Sequence, residues 1–292
     1  MIKITYKLIL LLGLLAMTVT SFAASEAEYG KVSKAWTLHA DGSQEYRSSI
    51  ELTLFTHTAM NSTYGESFIV YNPDFQTLKI HSSYTRQKDG TIVKTPDNAF
   101  VEVLPRFAAD APAYNQLKEM VVVHTGLELG ATIYLDYSII TKPGYYPALD
   151  INERLQETSP VKECKVSISV PEGTPLACGL YGSPVKAVEE SHDGIKEVHW
   201  TLRNIPASSR EAFQPKNREA SPHLVASTYP SGKAALATLD KRLKESQGYE
   251  SKTFAQFLTD KSGNEQEKVN IIRDHILNNL STCPIPMAMT GY

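Results

Sequence analysis

Residues 131–141 read Ala131-Thr132-Ile133-Tyr134-Leu135-Asp136-Tyr137-Ser138-Ile139-Ile140-Thr141. Successive side chains of an extended chain point to opposite faces, so Ile133, Leu135, Tyr137 and Ile139 share one side. The stretch predicts a central strand with those four residues turned toward a core. Working upstream, Met120 to His124 is rich in β-branched residues. Asp89-Gly90 is a hairpin turn ahead of Ile92 and Val93. Phe75 to Tyr84 alternates through Leu78 and Ile80. Residues 31 to 56 read as a long hairpin around Asp41-Gly42, with Tyr46, Ile50, Leu52 and Leu54 alternating. Downstream, Val166, Ile168 and Val170 alternate. Asp193-Gly194 turns into Val198, Trp200 and Leu202, and Leu224 to Thr228 makes a last short strand. Residues 97 to 117 break the pattern and read as an irregular crossing with a helical turn near Tyr114 to Leu117.

Many strands divided by turn signals predict a mainly β protein, an antiparallel β-sandwich. The character changes near Pro230-Ser231-Gly232. Ala234 to Ser246 reads as a helix with Leu236, Leu239 and Leu243 on one face, and Thr253 to Thr259 as a shorter one. Asn264 to Leu280 is the strongest helix: Asn264 caps it, Glu267 completes a box-like start, and Val269, Ile272, Ile276 and Leu280 form an apolar stripe. Pro284 and Pro286 end it. The expected organisation is a leader over 1–23, a β-sandwich over 24–230 and a helical segment over 231–292. The apolar tail from Pro284 to Tyr292 reads as an entry into more structure, so a longer parent protein is expected.

The leader has three parts. Lys3 and Lys7 are positive, Leu8 to Leu15 is apolar, and Ser21-Phe22-Ala23 places small residues before a cleavage point. The apolar run is shorter than the ~20 residues of a membrane span. No Cys follows it for lipid attachment. Export to the periplasm, the cell surface or the medium is expected, with a mature chain starting near Ala24 and no membrane-spanning segment. Without Lys3 and Lys7 the 29 basic residues become 27 against 32 acidic, a net charge of −5. No basic block appears, so nucleic acid is not an expected partner. A protein, a peptide or a glycan is.

Motifs of known chemistry are missing: no glycine-rich phosphate loop, no His-Glu-x-x-His, no Gly-x-Ser-x-Gly, no Cys-x-x-Cys. No cofactor and no catalytic residue are assigned. His39, His81, His124 and His199 fall in or beside separate strands, and their spacing gives no support for a metal site. Tyr145 and Tyr146, in the loop Lys142 to Pro147, either contact a sugar or peptide ligand or cover the end of the core. Cys164 and Cys178 either pair as a disulfide or stand as small buried thiols. Cys283 follows a helix C-terminus, where the dipole disfavours a thiolate, and is read as non-catalytic.

Three stretches carry a family resemblance: Leu127-Glu128-Leu129-Gly130, Trp200-Thr201-Leu202-Arg203-Asn204-Ile205-Pro206-Ala207, and Pro222-His223-Leu224-Val225-Ala226-Ser227-Thr228. In their order, over roughly residues 45 to 230, the chain resembles the exported bacterial family called domain of unknown function 3857. That resemblance implies an antiparallel sandwich lying before a transglutaminase-like, papain-related domain, and residues 264 to 292 resemble the opening of such a domain. The catalytic Cys of that superfamily begins the next long helix. Cys283 does not match that motif, and no catalytic residue carries over. The expected function is an exported non-catalytic module that binds or positions something for a transglutaminase-like domain. Two alternatives stand: a fragment of a transglutaminase-like cysteine peptidase or amidase whose catalytic residues lie beyond this chain, and a stand-alone carbohydrate- or peptide-binding sandwich.

Overall fold

The structure is a computed structural model that describes residues 25–208, 221–246 and 248–280. The leader, Cys283 and the apolar tail lie outside the described residues. Fourteen strands and three α-helices make up the described chain. The strands are β1 (Ala27–Leu38), β2 (Gln44–Leu54), β3 (Glu66–Tyr71), β4 (Gln76–Arg86), β5 (Ile92–Lys94), β6 (Phe100–Val103), β7 (Lys118–Val123), β8 (Thr132–Thr141), β9 (Asp150–Arg154), β10 (Val161–Pro171), β11 (Ala177–Tyr181), β12 (Val188–His192), β13 (Ile195–Ile205) and β14 (His223–Ser227). The helices are α1 (Gly232–Ser246), α2 (Tyr249–Thr259) and α3 (Glu265–Asn279).

One layer is an eight-stranded sheet in the order β12-β13-β10-β1-β2-β8-β4-β5. The second layer is broken into two three-stranded sheets, β11-β14-β9 and β3-β7-β6. The fold is mainly β and the pairings are antiparallel, save β1 with β10, which run parallel. β8 lies inside the large sheet between β2 and β4, as its alternation predicts, and Ile133 and Leu135 are buried.

Cross-strand register lays the inner face of the large sheet out in rows. One row runs Trp200, Val166, Lys34, Ser48, Tyr137, Ile80; the next runs Val198, Ile168, Trp36, Tyr46, Ile139, Leu78. The outer face is polar, with Arg47 bidentate to Asp136 at 3.0 and 2.7 Å. This one-sided polarity requires a second layer on the inner face only. The β11-β14-β9 sheet covers the β10–β13 half through Leu149, Ile151, Leu155, Leu224 and Ala226. The β3-β7-β6 sheet covers the β8–β4 half over a smaller core of Ile69, Val122 and Leu135.

Turn chemistry fixes the hairpins. At Asp193-Gly194 both residues take positive φ, 50° and 75°, the mirror-image turn whose twist matches two antiparallel strands. At Gly126, φ is +73° and an added Cβ would sit 2.8 Å from Val93, so only glycine fits. The 97–117 crossing contains the short strand β6 and single 3₁₀ turns, one of them at Pro112–Tyr114, slightly earlier than the sequence suggests. α3 is capped as expected: Asn264 accepts from the Glu267 amide at 2.9 Å, and Glu267 accepts from the Gly263 amide at 2.8 Å. Among the described residues, no helix is long and apolar enough to cross a membrane.

Candidate binding groove at the seam of the second layer

Because the second layer is broken, a strip of the large sheet's inner face lies between the two small sheets. Its floor is β1 and β2. Trp36 and Tyr46 face one another in register, with ring centroids 5.2 Å apart, and Tyr46 meets Tyr137 edge-on at 6.3 Å. Beside them Lys34, opposite Ser48, supplies the one ammonium of the floor. Its Nζ lies 2.6 Å from Glu153 and 3.1 Å from Glu157, and its side chain is 11% exposed. Burial, the largest single influence, favours the neutral amine, but the two carboxylates outweigh it and hold the ammonium charged, above its ordinary pKa. Burial also raises Tyr46 and Tyr137, which stay neutral phenols.

The walls come from strands that the sequence alone did not reveal. One cavity of about 370 Å³ is bordered by Lys34, Tyr46 and Glu157 together with Glu66, Ser67 and Phe68 of β3. A second, also about 370 Å³, is bordered by Trp36, Tyr46, Tyr146 and Glu153 together with Val70 and Tyr71 of β3. A third, about 230 Å³, extends past Trp36 to Tyr146 and Asp150. Tyr46 lines all three, so they adjoin one another along the seam, and this row of cavities is termed the groove. His124 borders it and is 5% exposed; its Nε2 meets Ser67 Oγ at 2.8 Å while its Nδ1 has no hydrogen-bond partner. Burial lowers its pKa to about 4, so the ring is neutral. Tyr71 donates to Glu102, which fastens the end of β3 to β6.

The structure separates the two loop tyrosines. Tyr145 is 7% exposed and stacks on Phe75 at 4.2 Å, covering the end of the core. Tyr146 lines the groove, where Gln76 donates to its hydroxyl at 3.3 Å. Cys164 and Cys178 are both free thiols. Cys164 faces Leu202 in the large sheet and Cys178 faces Ala226 in a small one. Burial pushes the Cys164 thiol up to about 12 and raises Cys178. Among the described residues, no three His, Cys, Asp or Glu side chains are grouped to hold a metal ion.

The family described as a domain of unknown function with solved structure, DUF3857, matches residues 40–209. The chain belongs to this family. The DUF3857 match spans the floor strands β2 and β8 and both walls, β3 and β9; Lys34 and Trp36 precede it in β1. No curated protein matches the chain. Among solved structures, the M1 zinc metallopeptidase from Deinococcus radiodurans is 10% identical, with a TM-score of 0.32. A two-domain M1 zinc metallopeptidase mutant bound to L-arginine is 12% identical, with a TM-score of 0.34. Each likeness covers 68% of this chain, which spans 42% of the solved one. At these scores the likeness carries nothing about activity.

Proposed function

We propose that this DUF3857 chain is an exported, non-catalytic β-sandwich module that binds a ligand in the seam groove and positions it for a transglutaminase-like domain. The observation that carries the reading is the groove: an aromatic floor with a charged Lys34–Glu153–Glu157 triad, open between two small sheets. Aromatic rings with a few placed polar groups are what small-ligand and peptide sites are made of. Both described thiols are raised by burial, the opposite of what acyl transfer requires of a nucleophile. A further domain is supported by α3, whose Val269, Ile276 and Leu277 are exposed along its apolar stripe. Export is supported by the three-part leader.

The test is an acyl-transfer assay on the purified mature chain, using peptidyl p-nitroanilides and a glutaminyl peptide with an amine acceptor. The expected result is no turnover sensitive to thiol alkylation. Turnover lost in Cys283→Ala and kept in Cys164→Ala overturns the non-catalytic reading. Export is tested by mass spectrometry of the secreted fraction: a start near Ala24 is expected, and intact Met1 refutes it.

A further inference from the structure

This inference deepens the groove reading and rests on it. β3 pairs with β7 alone and β9 with β14 alone, so each leaves one edge of its sheet without a strand. Those two strands wall the groove from opposite sides. An open edge presents unpaired N–H and C=O groups, and proteins blunt such edges with proline or lysine. β3 reads Glu-Ser-Phe-Ile-Val-Tyr and β9 reads Asp-Ile-Asn-Glu-Arg; neither contains proline or lysine.

We propose that the seam accepts one extended peptide strand, which enters between β3 and β9 and joins the two small sheets into a single seven-stranded layer. The edges run oppositely. β3 goes from Ser67 beside Glu157 to Tyr71 beside Glu153, whereas Glu153 precedes Glu157 in the chain. The added strand is therefore antiparallel to one wall and parallel to the other.

The floor selects its side chains. Inward-facing residues of a strand are two positions apart, about 6.8 Å, the same spacing as the Trp36 and Lys34 rows beneath them. One inward side chain rests on the Trp36 and Tyr46 rings. The next lies over the triad. Among the described residues whose side chains turn into the groove, Lys34 is the one Lys or Arg, against Glu153 and Glu157. That excess of carboxylates calls for a basic side chain. His124, in the opposite wall beside β3, borders the same groove and has an Nδ1 without a hydrogen-bond partner. The recognised pattern is an aromatic residue followed two positions later by lysine or arginine.

The experiment is a titration of the mature chain with the hexapeptide Ac-Thr-Phe-Thr-Lys-Thr-Val-amide. Of the two tryptophans, Trp200 is buried at 3% exposure, so a fluorescence change reports Trp36, and Trp36→Phe checks that assignment. Hydrogen exchange of β3 and β9 is read in parallel. The expected result is saturable binding that slows exchange in both strands. Replacing the peptide lysine by glutamate, or N-methylating alternate amides, weakens binding at least tenfold. Glu153→Gln with Glu157→Gln does the same for the lysine peptide. If that pair fails to fold, Glu157→Gln alone is expected to weaken binding of the lysine peptide measurably. Chitotriose is the contrasting probe. Binding of chitotriose without the peptide overturns the strand proposal and leaves the groove reading standing. No response to either probe overturns both. Slow exchange of both edges in the free chain also overturns the proposal, because the groove is then already closed.

Discussion

Replacing Lys34 by methionine keeps the length and apolar bulk of the side chain and removes its charge alone. Two carboxylates, at 2.6 and 3.1 Å, then face each other without their shared cation. Breaking a fully buried ion pair in this way costs about 3–5 kcal/mol. Here the lysine is 11% exposed but Glu153 and Glu157 are 32% and 27% exposed, so water screens part of the loss. The expected cost is about 1–3 kcal/mol. At about 3 °C per kcal/mol for a domain of this size, Tm falls by about 3–9 °C. Urea melts followed by fluorescence and circular dichroism measure it. Lys34→Met combined with Glu153→Gln and Glu157→Gln leaves no unpaired charge, and stability returns to within about 1 kcal/mol of the parent. A neutral Lys34→Met, with no gain on adding the two glutamines, refutes the coupling of these charges at the seam.

Leu135→Ala should cost about 2–5 kcal/mol in a denaturant melt, since it empties the smaller core; a neutral result would mean that core is not formed as described. His124 should make stability pH-dependent: its folded pKa is about 4 against 6.5, so the unfolded chain takes up the proton first and stability falls as pH drops from 6.5 toward 4. The loss amounts to about 3 kcal/mol at the acid end, is absent above pH 6.5, and should flatten in His124→Gln; an unchanged pH profile in that variant counts against the buried neutral ring. Asn264→Ala should loosen the first turn of α3 by about 0.5–2 kcal/mol, seen as faster amide exchange at Glu267 and Lys268, and unchanged exchange there would contradict the cap.

Elements with strong local signals were legible in the sequence. β8 has an unbroken period of two, the β1–β2 hairpin turns at Asp41-Gly42, and α3 carries its own cap. The groove was not legible, because its parts are local exceptions. Lys34 on a strand reads as a solvent-facing residue until Glu153 and Glu157, more than a hundred positions away, are brought to it by β9. β9 is five residues with one buried aliphatic side chain, Ile151, and so shows no period. β3 lies between a π-turn at Ala59–Thr63 and a tight loop, and Phe68 and Val70 on its outer side blur the alternation. The loop tyrosines were found by composition, yet adjacency could not say that one ring turns into the core and the other into the groove.

The large sheet is continuous where its cover is not, and that has a mechanical consequence. Along the strip over β1 and β2 the two small sheets share no ladder hydrogen bonds, and the ties between them are side chains at the ends of the seam: the Tyr64 hydroxyl lies 2.7 Å from both Thr158 and Ser159, and Asn72 donates to Tyr145 at 3.4 Å. An element tied across the gap stiffens the whole plate, much as a rib stiffens a panel. The salt bridges from Lys34 reach one side of the gap only, so along its middle the gap is held by its two ends.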